Sequence, residues 1–301
     1  ALVERIEYFH EAGCRLSDHA LEPVMFRHGN ISEMDAVFKK ALLKESFSES
    51  DLTLYKGQLM LFLGKEYAKR GDNLILIARS KDKLLGLKEI LESTYTINVQ
   101  IINYDLSQEK AGFTIYQIIK ENGWTVDKCI NSAGFATNGK VSETDWDKQH
   151  QQILVNVLAL FDLTKLCLND MLTRNEGTII NVASSSAYHP IPTMAVYAAT
   201  KAFVLSFTEA LAFECKQTNI KLLAISPGAT DTNFFSEEAG VSFGKLRTPE
   251  HVVETSLRAI EQGKISKIDG LNNYITSTLL PRLFSRKMMV NFVGRIMNRL
   301  K

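Results

Sequence analysis

Three side chains near the middle of the chain have the chemistry for proton transfer at a carbonyl or an alcohol. Tyr197 and Lys201 are four residues apart, so a helix would place the phenol and the ammonium on one face. A nearby positive charge favours the phenolate, and we therefore expect Lys201 to lower the pKa of Tyr197. Ser184 lies thirteen residues before Tyr197, just after an apolar run, where its hydroxyl could meet the same ligand.

The elements around these residues predict a doubly wound parallel sheet. Short apolar runs predict strands at residues 73–78, 99–103, 128–131, 177–183 and 221–226. Helical periodicity predicts helices at residues 81–93, 108–122, 146–172 and 195–218. This alternation is typical of right-handed βαβ units with helices on both faces, an α/β Rossmann-like architecture. Ligands bind outside the carboxyl ends of such strands, and Ser184 follows one of those ends.

Five motifs, in order along the chain, resemble those of the short-chain dehydrogenase/reductase family over residues 71–280. Asn131-Ser132-Ala133-Gly134 resembles the family's NNAG motif, with serine in second place. The other matches are Asn156 on a helix, Ser184, the pair Tyr197 and Lys201, and Pro227-Gly228 followed by Thr230 and Thr232.

The resemblance implies a role for each catalytic residue. Tyr197 would act as the general acid in carbonyl reduction and as the base in alcohol oxidation. Lys201 would hold the nicotinamide ribose, and Ser184 would hydrogen-bond the substrate oxygen. Asn156 would hold a water molecule that links Lys201 to solvent.

The same resemblance implies a nicotinamide cofactor. Arg79 follows the first predicted strand, where an acid would bind a ribose 2′-hydroxyl, and arginine there favours NADP(H) over NAD(H). A solvated arginine at a strand end is the alternative. The implied cofactor-binding residues are Arg79, Asp105, Leu106, Asn131, Ala133, Gly134, Tyr197, Lys201, Pro227, Gly228, Thr230 and Thr232.

The first 70 residues do not fit that family. Its first strand and its TGxxxGxG loop, which lets the backbone approach the pyrophosphate, are missing. Counting back from Gly64, Gln58 and Phe62 occupy the other two glycine positions. Apolar residues recur every three or four positions over residues 50–70, and this spacing predicts an amphipathic helix instead.

The same amino-terminal part, residues 1–71, resembles an internal segment of glucuronate (uronate) isomerase. The resemblance lies in residues 9–19, 38–42 and 55–71, and Ala68-Lys69-Arg70-Gly71 suits both families. A natural fusion, an engineered chimera and an error of sequence assembly would each explain such a junction. We expect no metal site, because His10, His19 and His28 are nine residues apart and form no His-x-His pair.

Composition excludes several other classes. Hydrophobic residues make up 45% of the 301 and charged residues 23%, which is globular rather than disordered. A net charge of +1 gives no indication of nucleic-acid binding. Four dispersed cysteines without a CxxC pair suit a reducing compartment, and we see neither a signal peptide nor a transmembrane span. We therefore expect a cytoplasmic protein, and we expect it to form homo-oligomers.

The remaining segments bear on substrate and partners. Tyr188, Met194, Phe234 and Phe235 are candidates for a substrate pocket, either as a lid for a small apolar carbonyl or alcohol or as simple packing. Residues 281–301 predict a basic amphipathic helix. Such a helix could lie on an anionic membrane, or pack on its own domain or a neighbouring subunit.

The sequence therefore divides into three predicted parts and leaves three functions open. The parts are residues 1–70, a helical isomerase-like segment; residues 71–280, a dehydrogenase-like domain; and residues 281–301, the basic tail. The leading hypothesis is an NADP(H)-dependent oxidoreductase that interconverts a carbonyl and an alcohol. The alternatives are a catalytically impaired or chimeric scaffold without the phosphate loop and, more weakly, a metal-dependent uronate isomerase.

Overall fold

The computed structural model describes residues 67–228 and 249–299. The chain divides into two compact units, residues 1–104 and residues 105–301. The predicted helix over residues 50–70 lies almost wholly outside the described residues, and only its last positions, 67–69, are seen as helical.

The described part of the first unit is a single βαβ unit. Its elements are β1 (Leu74–Ala78), α1 (Lys81–Thr94) and β2 (Val99–Asn103). The two strands are parallel, in a register that pairs Leu74 with Val99 and Ala78 with Asn103. Leu87 and Leu91 of α1 are buried against Val99, because the leucines recur on one face of the helix.

The second unit contains a four-stranded parallel sheet in the order β3-β4-β5-β6. The strands are β3 (Lys128–Asn131), β4 (Gly177–Val182), β5 (Ile220–Ser226) and β6 (Ser266–Ile268). Strands β4 and β5 are nearly continuous runs of buried apolar residues, as expected where helices cover both faces.

Helices surround this sheet. They are α2 (Ala111–Glu121), α3 (Trp146–Ile153), α4 (Leu160–Arg174), α5 (Ala195–Glu214), α6 (Pro249–Glu261), α7 (Leu271–Tyr274), α8 (Leu280–Leu283) and α9 (Arg286–Arg299). A π-helical turn, Leu154–Ala159, joins α3 to α4, and a 3₁₀ turn, Ser185–Tyr188, follows β4. A second π-helical turn, Ile275–Leu279, joins α7 to α8.

The predicted fold class is confirmed, since the structure is α/β with parallel strands. Every predicted strand is present, each within one residue of its expected bounds. The helix predicted over residues 146–172 is present but contains the π-helical turn, which the periodicity did not indicate. Strand β6 was not predicted, because three residues are too few to show a period.

Among the described residues, β1 of the first unit and β3 of the second unit are edge strands of their own sheets. Within residues 67–228 and 249–299, β1 pairs only with β2, and β3 pairs only with β4. Each therefore has one edge without a described strand partner.

Among residues 67–228 and 249–299, two helical stretches are long and apolar enough to cross a membrane, Trp146–Arg174 and Ala195–Glu214. The sequence predicts no span because it contains no uninterrupted apolar run long enough to cross a bilayer. In the structure α4 packs on β3 and β4, and α5 packs on β5. Length and composition alone are weak grounds for a span here, since the core helix of a soluble protein has the same properties.

Candidate active site

Ser184, Tyr197 and Lys201 come together beyond the carboxyl ends of β4 and β5. Ser184 follows β4 by two residues, and the next residue, Ser185, donates its N–H to the Pro227 carbonyl after β5 at 2.7 Å. The Ser184 hydroxyl lies near enough to the Tyr197 phenol to favour its charged form by hydrogen bonding. The Lys201 Nζ lies 5.9 Å from the centre of the Tyr197 ring, one helical turn along α5. The arrangement thus joins a phenol, a hydroxyl and an ammonium.

Burial controls the acidity of this group. Tyr197 is 4% exposed and Lys201 is 3% exposed. Burial raises the pKa of Tyr197 well above its ordinary value, although the hydrogen bond with Ser184 opposes that shift. Burial also lowers the pKa of Lys201 to about 8. We expected the lysine to lower the tyrosine pKa; the direction is opposite because desolvation disfavours both charged forms.

Asn156 clamps the loop that follows β3. It is fully buried in the π-helical turn, and its Oδ1 accepts the Phe135 N–H at 3.1 Å. Its Nδ2 donates to the Phe135 carbonyl at 3.0 Å and to Thr200 Oγ1 at 3.1 Å. A Cβ at Gly134 would lie 2.9 Å from Asn156 Oδ1 and 3.4 Å from Lys201 Nζ, so only glycine fits there. Asn156 thus holds the loop around Gly134 and Phe135 in place, and its predicted role in holding a water molecule stays a prediction.

Asn131 belongs to a different network. Its Nδ2 donates to Thr164 Oγ1 at 3.0 Å and to Asn181 Oδ1 at 2.9 Å. Asn181 in turn donates to Thr208 Oγ1 at 3.0 Å. Both Nδ2 protons of Asn131 are thus used inside the protein, so the side chain secures β3 to β4 and α4. Contact with a cofactor, as the sequence implied, would have to use its Oδ1 as an acceptor or its backbone.

Two polar atoms at the site retain unused hydrogen-bonding capacity. Ser132, directly after β3, is 4% exposed, and in the described structure its Oγ has no partner. The Lys201 ammonium carries three protons, and the hydrogen bond described for it is to the Val182 carbonyl at 2.8 Å. Buried polar groups are normally satisfied, so both atoms fit a ligand rich in hydroxyl and phosphate oxygens.

The other predicted cofactor residues are only partly placed. Gly228 packs against Asn273, whose side chain would clash with a Cβ at that position. Asp105 and Leu106 are half-buried, and Asp105 Oδ1 accepts hydrogen bonds from the Ser107 N–H and hydroxyl. Ala133 is half-buried between Ser132 and Gly134, and Arg79 is exposed after β1. Thr230 and Thr232 lie outside the described residues.

Of the pocket candidates that the structure describes, Met194 is the one that packs against Tyr197. Met194 also packs with Ala136, and the Tyr188 hydroxyl lies 3.4 Å from Ser226 Oγ. Phe234 and Phe235 lie outside the described residues. Two further polar atoms were not predicted: within the described ranges, His189 Nδ1 and Thr193 Oγ1 are buried without a partner. Thr193 has a φ of +69°, which is strained for a β-branched residue.

No cluster of metal-ligating side chains occurs among residues 67–228 and 249–299. His10, His19 and His28, the histidines of the isomerase-like segment, lie outside those residues. The described site therefore carries proton-transfer groups rather than a set of metal ligands.

Sequence reasoning missed the supports of the catalytic residues. Gln152 is fully buried, donates to the Phe135 carbonyl at 2.8 Å and accepts from Thr137 Oγ1 at 2.9 Å. Its spacing of four residues from Asn156 could have indicated this supporting role, because that spacing places both amides on one face of a helix. No sequence signal indicated the strained conformation of Thr193.

The comparisons with known proteins agree with both parts of the sequence. A family model for short chain dehydrogenase matches residues 61–240, and a model for glucuronate isomerase matches residues 1–79. The two matches overlap at residues 61–79, close to the predicted junction. Both sequence resemblances are thus confirmed.

Individual relatives extend this result. The chain is 30% identical over 215 residues to a 7beta-hydroxysteroid dehydrogenase of Mediterraneibacter gnavus, covering 68% of this chain and 80% of the relative. A solved structure of a 7beta-hydroxysteroid dehydrogenase shares the fold with a TM-score of 0.70 at 24% identity, covering 78% of this chain and 92% of that one. The structure of a short-chain dehydrogenase from Sphingobium yanoikuyae in complex with NADPH shares the fold with a TM-score of 0.67 at 24% identity. The match covers 77% of this chain and 91% of that one.

Proposed function

The chain belongs to the short chain dehydrogenase family of oxidoreductases, and on that premise we propose that it interconverts a carbonyl and an alcohol, with Tyr197 as the acid and base. One observation carries the proposal: the Ser184 hydroxyl and the Lys201 ammonium both lie close to the buried Tyr197 phenol. These residues lie at the carboxyl ends of parallel strands, where such sheets bind their ligands.

The proton chemistry follows from the burial of these groups. A substrate oxygen that replaces Tyr197 as the partner of Ser184 would still lie within reach of the phenol. In reduction, Tyr197 gives its proton to that oxygen, and in oxidation it takes the hydroxyl proton. Because burial disfavours a free phenolate, the raised pKa keeps Tyr197 protonated until a partner stabilises its anion. Lys201 is the nearby cation that can do so.

The proposed cofactor is NADP(H), which supplies the hydride in reduction and accepts it in oxidation. Lys201 and Ser132 fit it through their unused donors, and Gly134 keeps the loop after β3 free of a side chain. The preference for NADP(H) rests on Arg79. This cation directly follows β1, at the position where an acid would accept a hydrogen bond from a ribose 2′-hydroxyl. Two similar proteins are described with NADPH bound, which supports the choice.

Asn156 is proposed to hold the water that connects Lys201 to solvent. Its two Nδ2 protons are already donated to Phe135 and Thr200, so a water molecule would have to donate to the second lone pair of Oδ1 or to the backbone carbonyl. We favour the backbone carbonyl of Asn156 as the acceptor for this water molecule, because Asn156 lies in a π-helical turn. Such a turn disturbs the regular hydrogen bonding of helical carbonyls and is frequent at functional sites.

We propose a fairly apolar substrate. Met194, Ala136 and Ile191 supply apolar surface beside Tyr197, while His189 and Thr193 offer two unpaired polar atoms in the same segment. The relative of M. gnavus is named for a hydroxysteroid, so bulky alicyclic ketones and alcohols are the first compounds to assay. Phe234 and Phe235 remain proposed lid residues.

A homo-oligomer is proposed through the outer face of α5. Between Ala195 and Ala210 the exposed residues of α5 are small or aromatic and carry no charge: Ala195, Ala199, Phe203, Ser206 and Ala210. Phe203 stacks on Phe207, which also contacts Phe161 of α4. A two-fold contact places the same patch of both copies together, and an uncharged patch tolerates this. Comparing the sedimenting mass of the wild type with that of Phe203→Asp tests whether this face forms the oligomer.

We propose a cytoplasmic location. Cys129, Cys167 and Cys215 are buried free thiols, whereas Cys14 lies outside the described residues. Unpaired cysteines are usual in a reducing compartment.

The three-part division of the chain is retained as a proposal, and the second match at residues 1–79 favours one alternative function. A chimeric segment in place of the first strand and phosphate loop would leave a scaffold that does not bind cofactor. Residues 71–280 would then keep the fold without turnover. A uronate isomerase is the weaker alternative, because residues 61–240 match a different family.

Cofactor binding separates the enzyme from the scaffold. We expect NADPH fluorescence to saturate on titration with wild-type protein, and Arg79→Ala to weaken NADPH binding more than NADH binding. An absence of saturable binding up to about 1 mM NADPH would establish the scaffold. Equal losses for the two cofactors would remove Arg79 from the choice between them.

A further inference from the structure

Exposed apolar side chains are concentrated near the carboxyl terminus of the described chain. Of the twenty large hydrophobic residues that are exposed in the described structure, nine lie between residues 271 and 296. Leu271 and Leu283 are 73% and 76% exposed. Scattered single residues of this kind are normal, but a continuous group marks a surface that is covered by something else.

Helix α9 has two adjacent apolar stripes with different surroundings. The inner stripe is Met289, Val293 and Met297, and its last two members pack with Tyr197 and Met194. The outer stripe is Met288, Phe292 and Ile296, which are 54%, 54% and 41% exposed. Both have the four-residue spacing of a helix face, so only the inner stripe is satisfied by the protein itself.

The charges of α8 and α9 all have one sign. Arg282, Arg286, Lys287 and Arg295 are exposed, and residues 281–301 contain no aspartate or glutamate. On a helical projection Arg295 lies one turn from Phe292, at the edge of the outer stripe away from the inner stripe. An exposed apolar stripe on a helix whose charges are all positive is the pattern of a helix that lies in the headgroup region of an anionic membrane.

We propose that the outer stripe of α9 docks on an anionic lipid bilayer. Phe292, Met288 and Ile296 enter the boundary between headgroups and acyl chains, and the arginines and Lys287 contact lipid phosphates. A second copy of the chain is the less suitable occupant, because a two-fold contact would bring two sets of cations together. A two-fold contact through the uncharged face of α5 would bring no like charges together.

Docking would also place the site next to the bilayer. The inner stripe contacts Tyr197, and Gly294 lies so close to Pro192 that a Cβ would be 3.2 Å from its Cγ. Apolar substrates concentrate in membranes, so the bilayer is a source of them. This consequence rests on the proposed function, whereas docking itself does not, and vesicle binding is measured without turnover.

The test is sedimentation of the full chain with vesicles. We expect binding to vesicles of phosphatidylglycerol and phosphatidylcholine in equal parts, at least about tenfold tighter than to phosphatidylcholine alone, and weakening with salt. Phe292→Ser should weaken binding by about tenfold. Phe213→Ser, an equally drastic change at a residue 66% exposed on α5, is the matched control and should leave binding unchanged.

Three outcomes would overturn the proposal. They are equal binding to both kinds of vesicle, equal losses in Phe292→Ser and Phe213→Ser, and vesicle binding absent while Phe292→Ser lowers the sedimenting mass. The last outcome would identify the stripe as a contact between copies. Circular dichroism of both variants verifies that they are folded.

Discussion

Two groups of buried polar side chains lie a few residues apart in the second unit, and they differ in how far the protein satisfies them. In the interior network, Asn131, Thr164, Asn181 and Thr208 donate to one another or to backbone. In the site, Ser132 Oγ has no described partner and Lys201 has one described hydrogen bond. The first group secures strands to helices, and the second keeps donors available.

This difference distinguishes polar residues that stabilise the fold from polar residues that are available to a ligand. An unsatisfied buried polar group costs about 1–3 kcal/mol, so a fold retains one where something else repays the cost. The network therefore stabilises the unliganded protein, whereas the site residues gain their full partners only with a ligand. Each group should respond to substitution accordingly.

The largest effect is expected for the hydroxyl that the site uses directly. Ser184→Ala removes the hydrogen bond to Tyr197 and the donor for the substrate oxygen, and we expect kcat to fall by about 10²–10³-fold. Stability should fall by only about 1 kcal/mol, since Ser184 also accepts the Ser186 N–H at 3.1 Å. Steady-state kinetics with denaturant unfolding measures both.

Ser186→Ala, in the same 3₁₀ turn, is the matched control and should retain activity. If Ser184→Ala lost stability without losing turnover, Ser184 would belong with the structural group.

The next effect is a pH dependence of stability that depends on Lys201. Its folded pKa of about 8 lies below the ordinary value of 10.5, so the unfolded chain holds the proton over an interval where the folded protein has lost it. Stability from this group therefore rises between about pH 8 and pH 10, by about 2 kcal/mol. Lys201→Met should abolish this increment, which is read as the difference between wild type and variant.

Taking the difference between wild type and variant cancels the contributions of the other titratable groups. A wild-type curve parallel to that of Lys201→Met from pH 7 to pH 10 would show that the ammonium is solvated, contrary to its burial.

The smallest effects form a matched pair, one residue from each group. Asn181→Ala leaves Thr164 and Asn131 with unpaired buried donors, and we expect about 2 kcal/mol less stability with little change in KM for NADPH. Ser132→Ala removes a buried hydroxyl without a described partner, and with it the cost of leaving that hydroxyl unsatisfied, so stability should rise by about 1 kcal/mol while KM for NADPH rises a few-fold.

The two variants are compared by thermal unfolding and by NADPH saturation curves. If Ser132→Ala destabilised the protein as much as Asn181→Ala, the distinction between the two groups would fail.

The sequence predicted the strands and the positions of Ser184, Tyr197 and Lys201, because strand runs, helical spacing and motif order are local signals. It also predicted an unusual amino-terminal part, which the second family match supports. Tyr197 shows the limit: its spacing from Lys201 suggested a lowered pKa, but the sign depends on burial, and burial is a property of the assembled fold.

The supporting contacts were out of reach for the same reason. Asn131 matched a family motif, yet its partners Thr164 and Asn181 come from α4 and β4 and meet only after the sheet has formed. The inner and outer stripes of α9 are both apolar, so the sequence could not tell which one packs on Tyr197.

The most direct test of the account is turnover in Tyr197→Phe. The substitution removes one hydroxyl and keeps the buried ring, so we expect the variant to fold and bind NADPH as the wild type does, with turnover of ketone or alcohol lost. Wild-type turnover in a folded, NADPH-binding Tyr197→Phe protein would contradict the assignment of Tyr197 as the acid and base.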